Sequence, residues 1–240
     1  MLLSSASVRA TARAALAEFL GSAGLVVAVV GSGIAAQRLS PGDTGLELLE
    51  NALATGAALV ALILAFGPVS GAHLNPVLTL ADRILGGVPT RQVRERLPAQ
   101  LAGGICGAVL ANSMYGLPAV RLSTRHRSSA GLWLSEALAT FGLVVLVFSL
   151  ARSRRAALAP LAVACYIAGA YWWSASTSFA NPMIDVSRML SDTFSGVAPA
   201  SVPMFVAMQA LGGAAGVVAV RALYPDVAAA ARDVVVPHAA

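Results

Sequence analysis

Two Asn-Pro pairs are the residues in this sequence whose type and placing could do chemistry. Asn75-Pro76 and Asn181-Pro182 each follow a Gly-, Ser- and Ala-rich stretch and open a short apolar segment, about 75–86 and 181–190. Proline is favoured in the first turn of a helix, where its missing N–H costs nothing. The Asn oxygen can cap that helix while the amide donates N–H bonds to a passing oxygen atom. Each pair therefore predicts a short helix that presents an amide to a neutral solute.

Three ionisable side chains lie at related places in apolar segments. Glu18 and Glu136 occupy equivalent positions in two similar strings, and His73 precedes Asn75 by two residues. An intramembrane carboxylate is a functional candidate, so either glutamate could relay protons in a transporter. The alternative is that each accepts backbone N–H groups from the irregular segment behind its Asn-Pro pair, and the symmetry favours this support role. His73 could gate by protonation, but packing against its own loop is the commoner role.

The elements that must position these residues are membrane helices. Hydrophobic residues make up 58% of the 240 residues and charged residues 11%, with a mean hydropathy of +0.77, whereas a soluble domain is about a quarter charged. Apolar stretches near the ~20 residues needed to cross a bilayer recur along the chain. We predict an all-α membrane protein in which six spans accompany the two short helices. The predicted spans are 13–36, 46–67, 92–115, 131–151, 156–176 and 201–224.

An internal repeat relates the two halves of a single domain that covers 1–240. The repeats are roughly 12–115 and 131–224, and 225–240 is predicted to be a loose tail. Three spans per half is an odd number, so the copies insert in opposite directions, as in inverted-repeat transport proteins. Both short helices would then point their positive N-terminal ends at the membrane centre, which repels protons and other cations.

Charge excludes some functions and orients the chain. The net charge of +5 comes from 16 arginines without any lysine, and most lie in short loops on one side of the six predicted crossings. The positive-inside rule therefore places both termini in the cytoplasm, and nucleic acid is not a predicted partner. The exception is the loop with Arg121, Arg125 and Arg127, which could attract oxyanions or simply form a solvated, mobile surface. We recognise no catalytic constellation, cofactor loop or metal-ligand spacing, so an enzyme is not predicted.

From about residue 12 to 224 the sequence resembles the aquaporin, or major intrinsic protein, family. The strings from Ser70 to Val77 and from Phe179 to Met183 resemble the two family boxes, in register with a six-span inverted repeat. Family boxes usually end in Ala, whereas these end in Val77 and Met183. Because Met183 is larger and flexible, we expect it to narrow or reshape the centre of a pore formed around Asn75, Pro76, Asn181 and Pro182.

The resemblance also locates a selectivity constriction. Most family members carry an arginine where this sequence has Ile184, and the next arginine, Arg188, lies one helical turn further. Arg188 could face the outer vestibule or pair with Asp185 or Asp192. Narrow water-selective members commonly have bulky Phe and His in this region, so the residues here imply a wider opening. The four constriction positions are Thr55, Gly169, Ser178 and Ile184.

Together these features predict a passive channel for small uncharged solutes and water that excludes protons and ions. This residue set is similar to a bacterial branch associated with arsenic-resistance gene clusters, which implies polyols such as glycerol, or neutral metalloid acids such as arsenite and methylated arsenicals. The family implies a homotetramer in the plasma (bacterial inner) membrane, without cofactors. The alternatives are a proton-coupled secondary transporter with Glu18 or Glu136 as relay, and a non-conducting scaffold plugged by Val77 and Met183.

Overall fold

A computed structural model describes residues 5–225, with side chains from residue 9, and this part of the chain is helical without strands. Single 3-10 turns at Ala156–Leu158 and Pro199–Ser201 precede the sixth and eighth α-helices. The predicted all-α architecture is confirmed, while the predicted tail lies almost wholly outside the described residues. The helices are α1 (Ser5–Leu39), α2 (Thr44–Ser70), α3 (Pro76–Leu85), α4 (Thr90–Met114), α5 (Ala130–Arg152), α6 (Ala159–Trp173), α7 (Pro182–Arg188) and α8 (Val202–Leu223).

Five helical segments of the described chain are long and apolar enough to cross a membrane. They correspond to α1, α2, α5, α6 and α8, the last two together with their preceding 3-10 turns. The remaining predicted span, 92–115, corresponds to α4. This helix has 25 residues but carries Arg91, Arg94, Glu95 and Arg96 in its first two turns. Its place in the bundle is therefore determined by packing along α1 more than by its own hydropathy.

Equivalent helices of the two halves pack in equivalent ways. Helix α1 packs against α2 and α4, as α5 packs against α6 and α8, and α2 and α6 join the halves. A Cβ added at Gly103 in α4 would collide with the Phe19 carbonyl of α1, and one at Gly212 in α8 would collide with the Ala137 carbonyl of α5. Small residues thus bring the helix backbones into direct contact, as in other membrane bundles.

The two short helices bridge the halves of the molecule. Helix α3 packs against α4 of its own half and α8 of the other, α7 packs against α8 of its own half and α4 of the other, and the short helices also contact each other. This crossing brings the loops before α3 and α7 together inside the bundle. Irregular backbone at membrane depth is tolerated when it is buried in protein or lines a wet cavity, and both conditions are met here.

Candidate pore

Each Asn-Pro pair starts a short helix. Asn75 and Asn181 are extended N-caps with φ of −155° and −160°, and each side-chain oxygen accepts the backbone N–H two residues on, at 2.9 Å and 3.1 Å. Pro76 and Pro182 occupy the first turn of α3 and α7 and do not line the central cavity. The sequence therefore placed the two helix starts correctly, although α7 ends at Arg188, before the predicted limit of 190.

The two asparagine amides meet at the centre of the bundle. The Asn75 Nδ2 donates to the Ala180 carbonyl at 2.8 Å, and the Asn181 Nδ2 donates to the Leu74 carbonyl at 2.8 Å. Each loop is thereby fastened to the other. A primary amide has two N–H donors, so each asparagine keeps one beyond this bond. Both asparagines line the same cavity, where the second N–H can be offered to a solute.

The loops before the asparagines hold a backbone conformation that non-glycine residues rarely adopt. Ala72 and Leu74 have φ of 46° and 48°, and Ser178 and Ala180 both have φ of 46°. Each such residue costs about 1–3 kcal/mol and persists only where its surroundings enforce it. The repetition of the pattern at equivalent positions indicates that both loops are shaped for the same purpose.

Glu18 and Glu136 enforce this conformation from behind. Both side chains are fully buried, neither lines the cavity, and each carboxylate accepts two consecutive backbone N–H groups of its loop. The donors, at 2.8–3.0 Å, are His73 and Leu74 for Glu18, and Phe179 and Ala180 for Glu136. This geometry is the one expected of the support role, and it places both carboxylates away from the solute path.

One narrow cavity of about 60 Å³ is lined by both asparagines. Most of its wall is aliphatic, contributed by α1, α2, α5 and α6, with residues such as Val29, Leu59 and Leu143. The polar groups are concentrated on the two loops and their neighbours, so the cavity has an apolar side and a hydrogen-bonding side. The polar or charged lining residues are Thr55, His73, Asn75, Tyr171, Ser178, Asn181 and Arg188.

Three of the four predicted constriction residues line this cavity, namely Thr55, Ser178 and Ile184. Gly169 does not, and its prediction was wrong because it lies on another side of α6, where an added Cβ would approach the Trp173 Nε1 at 3.9 Å. Helix α6 instead contributes Tyr171, whose hydroxyl lies 3.2 Å from the Thr55 hydroxyl. The four-residue spacing of Val163, Ile167 and Tyr171, all cavity-lining, was the sequence signal for the correct face.

Val77 and Met183 also differ from the expectation. A Cβ at Gly213 of α8 would collide with the Val77 Cγ1, and one at Gly104 of α4 would collide with the Met183 Sδ. Both side chains are buried in these seams and neither lines the cavity. The prediction that Met183 reshapes the centre, and the scaffold alternative in which both residues plug it, are therefore wrong. The third residue of each box turns away from the loop and towards a glycine of the opposite half.

Arg188 lies at one end of the cavity, on the face of α7 that also carries Ile184. Its guanidinium carbon is 3.7 Å from the centroid of the Phe179 ring, and its Nε donates to the Ser195 carbonyl. None of the ion pairs within residues 5–225 includes Arg188. Asp192, one of its two predicted partners, pairs instead with Arg121 at 3.5 Å. Of the two alternatives for Arg188, the geometry therefore favours a position facing the vestibule.

A second arginine, Arg127, also contacts Phe179; the sequence placed it in a basic loop that could attract oxyanions but gave no sign of this contact. Its guanidinium carbon is 5.4 Å from the Phe179 centroid, and its Nη1 donates to the Ser176 carbonyl at 3.4 Å. Burial, followed by the charges of Arg188 and Arg125, lowers the pKa of Arg127 to about 10. The expectation of a solvated side chain is wrong for this residue.

The loop that carries Arg127 is fastened to the segment after α7. The Arg121 N–H donates to the Leu190 carbonyl at 3.1 Å, the Ser123 N–H to Met189 at 2.8 Å, and the Ala198 N–H to Arg125 at 2.8 Å. These long-range bonds place Arg127 over Phe179. Local sequence gives no sign of them, because they depend on how two distant loops meet.

His73 lines the cavity beside the first short helix. Its Nδ1 lies 3.1 Å from the Thr79 hydroxyl and 3.3 Å from the Arg96 Nη1, and its Nε2 lies 3.4 Å from the Asp82 carboxylate. The imidazole is therefore held on both nitrogens by buried groups of α3 and α4. This geometry is the one expected if His73 packs against and hydrogen-bonds its own loop, the role that the sequence favoured over gating by protonation.

Comparisons with known proteins agree with this architecture. The family model described as "Major intrinsic protein" matches residues 4–178. "Aquaglyceroporin AqpS" of Rhizobium meliloti (strain 1021) is 44% identical over 200 residues, which is 83% of this chain and 85% of the relative. "Probable aquaporin NIP7-1" of Arabidopsis thaliana is 34% identical over 139 residues, covering 58% and 50%. The X-ray structure of the aquaglyceroporin from Plasmodium falciparum superposes with a TM-score of 0.68 at 21% identity, covering 90% of this chain and 98% of that one.

Proposed function

Because the chain belongs to the major intrinsic protein family, and so is a multi-pass membrane channel that passes solutes and water passively, we propose that its cargo is small, neutral and rich in hydroxyl groups. Polyols such as glycerol and neutral metalloid acids such as arsenite or methylated arsenicals fit this description, with water as a co-permeant. Protons and other ions are excluded. The relative named an aquaglyceroporin supports this class of cargo.

The observation that carries the proposal is the pair of asparagines at the centre of the cavity. Each Nδ2 is held by the opposite loop at 2.8 Å, and each side-chain oxygen is held by its own helix. What remains on each amide is an N–H donor. A solute oxygen can accept a hydrogen bond from each of these donors in turn, whereas a cation is repelled by the two converging positive helix ends. The arrangement therefore favours neutral acceptors of hydrogen bonds.

The side chains at the predicted constriction suit a cargo that has a skeleton as well as hydroxyl groups. Thr55 and Ser178 contribute small hydroxyl side chains, and Ile184 contributes an aliphatic wall where most family members have a cation. Arg188 stands one turn further along α7. A solute can therefore hydrogen-bond to the hydroxyl side while its carbon or arsenic skeleton lies against aliphatic side chains, which suits a polyol or a metalloid acid.

The support network makes a proton-coupled mechanism the weaker alternative. All four oxygens of Glu18 and Glu136 accept hydrogen bonds, and the side chains are sealed from the cavity. A relay residue must exchange protons with water on the transport path. Here, protonation of either carboxylate would turn one acceptor oxygen into a donor and so weaken a hydrogen bond that holds a strained loop.

We also infer the assembly and its setting. Large aliphatic side chains are exposed on the outer surfaces of several helices, which suits lipid or a second copy of the chain. A homotetramer in the plasma (bacterial inner) membrane, each subunit with its own pore and both termini cytoplasmic, accounts for these surfaces. Examples of such side chains are Leu53, Leu64, Leu134, Leu161 and Leu211.

Osmotic challenge of proteoliposomes tests the proposal. Vesicles with the purified protein should re-swell quickly in glycerol or arsenous acid, and an imposed pH gradient should leave the rate unchanged. Asn181→Leu should abolish most of this flux because it removes a central donor, whereas Leu161→Ala, at an exposed position, should not. Re-swelling no faster than that of empty vesicles would refute a channel, and acceleration by a pH gradient would favour the transporter.

A second variant tests the constriction itself. Ile184→Arg should narrow the opening and reduce glycerol flux more than water flux, because the guanidinium would enter the cavity that Ile184 now lines. Equal losses of both fluxes would contradict the position assigned to Ile184. Arg188→Ala should change the order of solute preference, and an unchanged order would place Arg188 outside the selectivity region.

A further inference from the structure

Two guanidinium groups lie against the ring of Phe179, a residue that lines the cavity; Arg188 lines the cavity itself, and Arg127 approaches the ring without being among the lining residues. The Arg188 and Arg127 carbons lie 3.7 Å and 5.4 Å from the Phe179 centroid. No ion pair within residues 5–225 includes either arginine. Asp185 and Glu136 act on Arg188 at longer range, but neither carboxylate lines the cavity. This end of the pore therefore presents positive charge that no side chain neutralises by direct contact.

A buried hydroxyl that lines the same cavity as Arg188 has no hydrogen-bond partner in the described part of the chain. It belongs to Ser178, which is 3% exposed. Buried polar groups in proteins are almost always hydrogen-bonded, so such an exception calls for a ligand or water. The Ser178 hydroxyl can donate to the same acceptor that the arginines attract.

We propose that this end of the cavity is a binding site for a small inorganic oxyanion, such as phosphate or sulfate, held by Arg188 and Arg127 and completed by Ser178. Guanidinium groups present forked donors that match the oxygens of an oxyanion. Partial burial strengthens the attraction because water screens it less. The Tyr171 hydroxyl, 3.2 Å from Thr55, adds a further donor to the rim of the site.

The bound anion is an inhibitor and not a cargo. Beyond the site the walls are aliphatic, with Ile184, Leu143 and Val147 among them, and stripping an ion of water there is unfavourable. An oxyanion held by Arg188 would therefore stay at the mouth and occupy the route of the neutral solute. Only this inhibition rests on the proposed channel function, whereas binding does not.

Binding can be measured directly on the detergent-purified full chain by equilibrium dialysis with radiolabelled inorganic phosphate at constant ionic strength. Binding should saturate, and Arg127→Gln should weaken it by at least about tenfold, since a charge-assisted hydrogen bond is lost. Arg127→Lys should retain most of the affinity because the charge remains, and Ser178→Ala should weaken binding less than Arg127→Gln does.

Arg121→Gln is the matched control, because it removes the same charge from the same loop at an exposed side chain paired with Asp192. It should leave phosphate binding unchanged. The proposal is overturned if binding does not saturate, or if Arg121→Gln weakens it as much as Arg127→Gln. The second result would show attraction to general surface charge.

Glycerol flux separates this site from the proposed function. Phosphate should slow glycerol entry into proteoliposomes of the unchanged protein and have a weaker effect on Arg127→Gln. If phosphate binds but the protein passes no glycerol, the oxyanion site stands and the proposed cargo fails. If glycerol passes and phosphate does not bind, the oxyanion site fails and the channel proposal stands.

Discussion

Behind Asn75 the side chain four residues on is hydrogen-bonded to its own loop and to α4, whereas the equivalent side chain behind Asn181 is not held in the same way. Four residues after Asn75, the Thr79 hydroxyl donates to the Asn75 carbonyl at 3.1 Å and accepts from Gln100 at 2.9 Å. Four residues after Asn181 the position is Asp185, whose buried carboxylate oxygens make no hydrogen bond of standard geometry among the described residues, although the Gln209 side chain lies near enough to interact with them. The two halves thus support their loops alike but differ immediately behind them.

The same contrast recurs at the ends of the short helices. Two residues before and seven residues after Asn75 stand His73 and Asp82, whose side chains lie 3.4 Å apart. The equivalent residues around Asn181 are Phe179 and Arg188, which form a cation–π contact at 3.7 Å. The first half sets an imidazole beside a carboxylate, while the second holds a cation on an aromatic ring and on the Ser195 carbonyl, with no carboxylate in direct contact. The two copies of the repeat therefore share the strained loops and the carboxylates that hold them, and differ in the side chains around the solute path.

The largest effect should come from removing a support carboxylate. Glu18 accepts four hydrogen bonds, from two loop N–H groups, the Ser70 hydroxyl and Gln100, and Glu136 accepts three, with Gln209 as the third donor. Each buried donor left without an acceptor costs about 1–3 kcal/mol. Glu18→Ala should therefore lower the free energy of unfolding by at least about 4 kcal/mol, and more than Glu136→Ala does.

Equilibrium unfolding in mixed detergent micelles measures this difference, with Leu161→Ala at an exposed position as the control. A loss from Glu136→Ala equal to or larger than the loss from Glu18→Ala would show that the two networks do not differ in strength.

The next effect concerns the third residue of each box. Met183 and Val77 fill the seams against Gly104 and Gly213, so their truncation removes packing but leaves the cavity wall intact. Met183→Ala should lower the free energy of unfolding by about 2 kcal/mol and Val77→Ala by about 1 kcal/mol. Glycerol flux per folded channel should be unchanged in both variants. A change in glycerol flux without a loss of stability would show that these two side chains do line the pore.

These two predictions show what the sequence revealed and what it hid. The helix starts at Pro76 and Pro182 follow from local sequence rules, and the equivalent roles of Glu18 and Glu136 follow from the repeat. Both were therefore predictable. The direction of Met183 and the approach of Arg127 to Phe179 depend on which surfaces meet in three dimensions. The position of Gly169 was transferred by its distance from Asn181, and that count ignores the rotation of α6.

A smaller effect should distinguish the networks directly behind the asparagines. Thr79→Val keeps the side-chain shape but removes one of the two acceptors of the Gln100 amide, which retains only Glu18, and this should lower the free energy of unfolding by about 1–2 kcal/mol. Asp185→Asn keeps the side-chain size and one acceptor oxygen for the nearby Gln209 side chain, and it should leave stability within about 0.5 kcal/mol of the original. The same unfolding assay applies, and a loss from Asp185→Asn that matched Thr79→Val would reveal an essential partner for the carboxylate.

The smallest effect should come from Gly169→Ala. Its added Cβ would meet the Trp173 ring at 3.9 Å, an ordinary van der Waals distance, and Gly169 is not among the residues that line the cavity. Alanine also favours a helix interior by roughly 1 kcal/mol over glycine, so stability should be unchanged or slightly higher. Stopped-flow measurements of glycerol and water entry should give the rates of the original chain, whereas Tyr171→Ala, two residues on, should raise glycerol entry by opening the wall beside Thr55. Because the two substitutions lie on different faces of one helix, a change in flux from Gly169→Ala would mean that α6 is rotated and that its contribution to the constriction has been assigned to the wrong residue.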